Sequence, residues 1–403
     1  MSANAIKKNE RIHTLDIIRG IAVLGIIIAN MYVFKTLFAD ETKLMFTGAV
    51  LPDGMFNQIV SIFVSFFIDN KFYPMFSLLF GLGFFIFYDR LRQKGLSAGR
   101  LFSRRLVFLL VIGLIHLVFL WTGDILHTYA LAGFLLLLFI NRKPRTILLW
   151  AVLMLGIGTF ILTAMLTVSG LMLSMMGTDE FVQNDTRGMA ITTMMEGTYM
   201  EILQYRFVNE VVPVLFNVFL TVPGILPLFL IGLYMGKTRM FHDVAANLNR
   251  WKKICIHSCW SGLASVAIVV GLKYGLGPLP ASISYGISEG LHFLAGPILM
   301  LFYVSALVLL LHSGGRLKLF MPIAAVGRMA LTNYLLQTLI GVSIFYGFGL
   351  GLFGQVSIGG GFLLAIAIYI IQLILSHFYL KKFKQGPLEY LWRKWTYGGK
   401  LLT

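Results

Sequence analysis

The sequence predicts an all-α, polytopic membrane helix bundle with about ten transmembrane helices and both termini cytoplasmic. Three observations lead there. Hydrophobic residues make up 58% of the 403 positions and charged residues only 12%, against about 25% charged in soluble globular domains. Apolar runs of about 17 or more residues recur along the chain, each long enough to cross a hydrocarbon core of about 30 Å as a helix. The charges segregate by side: about 27 of the 33 Lys and Arg, but about 5 of the 17 acids, fall in segments this topology places inside. That distribution accounts for the net charge of +16 through topology and attraction to anionic inner-leaflet lipids, so nucleic acid is not an expected partner.

In chain order, the polar tail 1–13 carries Lys7, Lys8 and Arg11 and leads into a first span at 14–34. That run lacks a small-residue cleavage site and is expected to be retained. A mixed-charge loop follows, and residues 56–69 form an apolar run too short to span comfortably. Reading it as an interfacial or re-entrant helix keeps the basic loop after the next span, 72–89, on the inner side. Further spans are expected at 104–122, 125–141 and 146–169, then a long extracytoplasmic segment, 170–211, rich in acids such as Asp179, Glu180 and Glu210. Spans at 212–235, 254–274, 287–312, 329–349 and 355–380 bring an interfacial tail, 381–403, back inside as part of one integral membrane domain, 1–403. Cys255 and Cys259 stand four apart, which makes neither a disulfide framework nor a zinc quartet, and no ligand spacing predicts a metal.

Polar residues inside such spans are costly and mark function or helix pairing. His116 lies about 18 Å along its helix at 1.5 Å per residue, past the bilayer centre. Asp124 follows eight residues later at a Gly-Asp turn, close enough to orient an imidazole. Lys71, at an outer boundary, either snorkels or holds an anion or a carbonyl oxygen. Asp16 and Arg19 are three apart on one helical face, an interfacial ion pair or a phosphate contact. Asn333 and Gln337 share a face four apart and either join helices or line a tunnel. Asn30, Glu289 and His292, with His127, are candidate polar contacts toward the outer side. Ser77, Gly81 and Gly83 read as packing positions.

Five blocks in order, RIHTLDIIRGIAVLGI, KFYPMFSLLFG, RRLVFLLVIGLIHLVFLWTGDIL, GRMALTNYLLQ and GPLEYLWRKWTYG, resemble the YeiB family of bacterial inner-membrane proteins nearly end to end. That family looks distantly similar to the transmembrane acyltransferases, including heparan-alpha-glucosaminide N-acetyltransferase, through the L-D-x-x-R-G block. The resemblance implies that a cytoplasmic acyl-CoA, such as acetyl-CoA, acts as co-substrate, its acyl group passing to a saccharide, lipid or small-molecule acceptor outside. On that reading His116 is the general base, Asp124 orients it and Lys71 stabilises the oxyanion. Arg19, Arg104, Arg105 and Arg328, with Asn333 and Gln337, bind the co-substrate, and Asn30, Glu289 and His292 meet the acceptor. The histidine of heparan-alpha-glucosaminide N-acetyltransferase falls around the second span, where this chain has Lys71, Phe72 and Pro74. Membrane lipids are the expected partners, and self-association into a homo-oligomer is compatible with the composition. The alternative is a proton-coupled transporter or exporter of a small or lipidic solute, with His116, Asp124 and Glu289 as its relay.

Overall fold

The computed structural model describes residues 13–37, 49–176, 184–313 and 317–398. Arg11, Asp179 and Glu180, with the first twelve and last five residues, lie outside the described residues. The secondary structure of the described residues is all helix, without strands: α1 (His13–Phe34), α2 (Met55–Phe67), α3 (Phe72–Gln93), α4 (Ala98–Ile115), α5 (Leu126–Leu136) and α6 (Pro144–Met176) form the first half. Three short helices, α7 (Asn184–Glu196), α8 (Tyr199–Arg206) and α9 (Val212–Phe216), then lead into α10 (Val218–Lys237), α11 (Leu248–Lys273) and α12 (Ala281–His312). The chain closes with α13 (Met321–Arg328), α14 (Ala330–Phe345), α15 (Ile358–Lys382) and α16 (Pro387–Tyr397). Among the described residues, eight helical stretches are long and apolar enough to cross a membrane, one of them joining α2 and α3, and two shorter apolar helices stand at 126–139 and 330–345. Trp150, Phe160, Phe219, Trp260 and Ile371 face outward, the belt a helical membrane protein presents to lipid.

Glycines let the helices meet backbone to backbone. A Cβ on Gly327 would strike the Asp16 carbonyl and one on Gly20 the Ile323 carbonyl, so α13 lies directly on α1. Gly81 and Gly232 do the same for α3 and α10. Ser77 is buried and bonds to the Tyr129 hydroxyl at 2.7 Å, tying α3 to α5.

The described part of the segment between α6 and α10, residues 184–217, is largely helical and folds back onto the bundle. Thr198 and Glu201 form a capping box that starts α8. Its far end carries Arg206, buried at 1% exposure, and Glu210, buried at 6%.

The helix of 126–139 is about 21 Å long at 1.5 Å per residue, short of a hydrocarbon core of about 30 Å. Its N-terminal turn, residues 121–125, therefore lies inside the bundle: Trp121 is 1% exposed and Asp124 7%. Irregular backbone at such depth persists only where protein groups satisfy it. Here both a local bond and distant elements supply them. Trp121 N–H donates to the His116 carbonyl at 2.8 Å, widening the last turn of the preceding helix. Arg206 donates to the carbonyls of Leu117 and Leu120, both at 3.0 Å. The hydroxyls of Tyr199 and Tyr334 donate to the Phe119 and Gly123 carbonyls, at 2.9 and 3.1 Å.

Candidate functional site

The widened turn His116–Leu120 fixes where the His116 ring points, and such turns recur at functional sites. His116 Nδ1 lies 2.8 Å from Asp124 Oδ1, and His127 Nδ1 lies 2.6 Å from Asp124 Oδ2. The His127 backbone N–H also donates to Oδ2, at 2.9 Å. An ionised carboxylate only accepts, so each imidazole carries its proton on Nδ1. That leaves Nε2 of His116 as the basic atom. It meets the Thr338 hydroxyl at 2.9 Å, while His127 Nε2 lies 3.2 Å from the hydroxyl of Thr128. The turn is held in addition by Thr122, whose hydroxyl donates to Glu210, itself bonded to Arg206 at 3.0 Å.

A cavity of about 1100 Å³ opens among the basic ends of α1, α3, α4, α13, α15 and α16 and reaches Ile125 and Leu126 beside Asp124. Arg19, Arg90, Lys94, Arg105, Arg328 and Lys384 belong to its mouth. Burial and the neighbouring guanidinium groups of Arg239 and Arg90 hold His242, also on the mouth, below the usual imidazole range, with Asp89 acting against them. Deeper walls are apolar: Val23, Ile26, Phe80, Leu109 and Leu126. Tyr129, Tyr334 and Gln337 are polar exceptions at depth. Tyr334 connects the two features, since it lines the cavity and its ring packs on His116 with centroids 5.4 Å apart.

The remaining candidates separate. Arg19 bonds to Asp16 at 3.3 Å and lines the cavity, as do Arg105 and Arg328. Arg105 stacks over Trp392 at 3.7 Å, whose indole N–H donates to the Arg105 carbonyl. Arg104 points elsewhere, donating to the Trp395 carbonyl at 2.8 Å. Asn333 is buried between helices, donating to Ser376 at 3.0 Å and to the Val326 carbonyl at 3.2 Å. Gln337 donates to Gln372 at 2.8 Å. Asn30 is half-buried on α1.

Lys71 is fully buried and lies 2.9 Å from His292 Nε2, donating also to the Ser65 carbonyl at 2.8 Å. No hydrogen bond among the described residues joins it to His116 or Asp124, so the fold pairs Lys71 with His292 across a separation of 221 residues. Glu289 pairs with Lys273 at 3.2 Å, adding to this second polar cluster. The shared outer level expected for His127 and His292 thus resolves into two groups, His127 on Asp124 and His292 on Lys71. Arg206, Thr338 and Tyr334 were not singled out from the sequence. Arg206 and Glu210 stand four apart, which is a visible ion-pair spacing, but they sit in what reads as an acidic loop.

Residues 235–399 match the family model described as "Protein of unknown function (DUF418)". Over 412 residues the chain is 34% identical to "Uncharacterized protein YxaH" of Bacillus subtilis (strain 168), covering 96% of this chain and 95% of that one. It is 31% identical to an "Uncharacterized 39.9 kDa protein in amylase 3'region" of Bacillus acidopullulyticus, over 98% and 96% of the two chains. Against "Uncharacterized protein YeiB" of Escherichia coli (strain K12) the identity is 27%, over 96% of each chain. Similarity that runs the full length of all three proteins makes this chain a member of the YeiB-like family of proteins of unknown function.

Proposed function

We infer that this protein is a transmembrane acyltransferase of the bacterial inner membrane, moving an acyl group from a cytoplasmic acyl-CoA to a hydroxyl or amine acceptor on the extracytoplasmic side. The observation that carries the reading is the cavity of about 1100 Å³, cationic at its mouth and apolar within, that reaches the tyrosine packed on His116. A basic mouth suits phosphates and an apolar interior suits an extended arm ending in an acyl group. By the positive-inside rule that mouth faces the cytoplasm, where acyl-CoA is made. Arg19, Arg105 and Arg328 would hold the phosphates, and the thioester supplies an activated acyl carbon.

Asp124 keeps the His116 proton on Nδ1, which leaves Nε2 to receive the proton that the acceptor loses as it attacks. Thr338 presents a hydroxyl to Nε2, the same chemistry an acceptor alcohol would offer there. As the C–S bond breaks, His116 returns its proton to the departing thiol. Arg206 acts one step back, by fixing the turn that carries His116 and Asp124.

The test is CoA binding and acetyl-CoA thioester cleavage by the purified protein, beside His116→Asn. Binding in both proteins with turnover only in the wild type supports the reading, and equal turnover removes His116 from the mechanism. The second buried cluster, Lys71 with His292 and Lys273 with Glu289, favours a proton-coupled transporter as the competing reading. It requires solute flux in proteoliposomes that follows a pH gradient, with no use of acyl-CoA.

A further inference from the structure

Gln337 carries an acceptor that the fold leaves without a donor, on a residue of the cavity wall. It is 2% exposed. It lines the cavity along with Val23 and Tyr334, and its Oε1 has no hydrogen-bond partner among the described residues.

The direction of this amide is set by a chain of bonds that begins at a group with one role. The backbone carbonyl of Asn333 can only accept, so the Gln372 atom that faces it at 2.9 Å is Nε2. Gln372 therefore turns its Oε1 toward Gln337, which answers with Nε2 at 2.8 Å. The other Nε2 proton points to the Val23 carbonyl at 3.5 Å. Flipping Gln337 would set oxygen against oxygen, and flipping Gln372 would set its oxygen against the Asn333 carbonyl. Oε1 of Gln337 is the atom left over. Buried acceptors without donors are rare, and one on the wall of a ligand-sized cavity marks where a bound molecule supplies an N–H or O–H.

The rest of the cavity narrows that donor. Its mouth selects an anionic head through Arg19, Arg105 and Arg328, while Val23, whose carbonyl Gln337 faces, shares an apolar wall with Ile26 and Phe80. A ligand that satisfies both ends is a phosphorylated head on a thin, mostly apolar arm with an N–H partway along. We propose that Gln337 Oε1 accepts a hydrogen bond from an amide N–H on the pantetheine arm of CoA and thereby sets how deep the thioester sits. This assignment rests on the acyl-CoA reading.

Isothermal titration of the detergent-purified full chain with two probes, CoA and adenosine 3′,5′-bisphosphate, tests it, since the bisphosphate has the head without the arm. Gln337→Met is expected to weaken CoA about tenfold and to leave the bisphosphate within about twofold. Gln337→Glu, protonated at this depth, donates to Gln372 Oε1 and keeps an acceptor, so it restores CoA affinity to within about threefold of wild type. Equal loss for both probes in Gln337→Met, unchanged CoA affinity in that variant, or failure of Gln337→Glu to restore it overturns the assignment and leaves the acyl-CoA reading standing. A wild type that binds neither probe overturns both.

Discussion

Arg206→Met tests how the site is built. The guanidinium is 1% exposed and makes bonds of 3.0 Å to the carbonyls of Leu117 and Leu120 and to Glu210, with a fourth of 3.3 Å to Thr122. Its removal leaves a buried carboxylate uncompensated, a loss of about 3–5 kcal/mol, and strands two carbonyls at about 1–3 kcal/mol each if no water reaches them. These losses share partners and do not add, so the expected destabilisation is on the order of 4 kcal/mol. Tryptophan fluorescence during thermal unfolding in detergent measures it, and Trp121, stacked on Phe34 at 4.1 Å beside the turn, reports locally. Adding Glu210→Gln removes the stranded charge and should recover about 1–2 kcal/mol, because the neutral amide needs no counter-ion. A double variant as unstable as the sum of the two singles would refute the claim that a buried ion pair holds this turn.

Four further outcomes follow from the same geometry. Arg105→Met and Arg328→Met should each weaken CoA about tenfold, less at high salt, whereas Arg104→Met, whose guanidinium bonds to the Trp395 carbonyl, should leave CoA affinity unchanged in a binding titration. Gly327→Ala forces a methyl against the Asp16 carbonyl and should cost about 1–3 kcal/mol, while Gly156→Ala, with open space around it, should be neutral or stabilising. Burial holds the Lys35 ammonium down to about 8 from 10.5. Between those values the unfolded chain keeps a proton that the folded one has released, so stability rises with pH, and Lys35→Met should make that rise shallower in melts taken from pH 8 to 10. His116→Asn should abolish turnover and leave CoA affinity within about twofold, because His116 is not part of the cavity wall.

The long apolar helices were legible in the sequence because a membrane helix must be apolar along its whole length, and no tertiary partner is needed to see that; the spans expected at 125–141 and 329–349 are instead the short helices 126–139 and 330–345. His116 and Asp124 were legible together for a similar reason: eight residues and a Gly-Asp turn confine them to one neighbourhood, and they meet at 2.8 Å. Lys71 was not resolved in this way. Depth alone grouped it with His116, while its partner His292 comes from a helix 221 positions away. Arg206 escaped for the opposite reason. Its segment is acidic and reads as a solvated loop, yet the arginine turns inward because the carbonyls at the end of the helix before Trp121 have no helical partners. Gln337 was visible as an amide inside a span, but that one of its atoms lacks a partner follows only from Gln372 and Asn333.

The central claim is that acyl groups leave the cytoplasm through this protein with His116 as the base. Its most direct test is mass spectrometry of the envelope fraction from cells that carry either wild type or His116→Asn at equal abundance, fed with carbon-13 acetate. The account predicts at least one labelled acyl conjugate that depends on wild type and disappears with the variant. Identical labelled profiles from the two strains would contradict it.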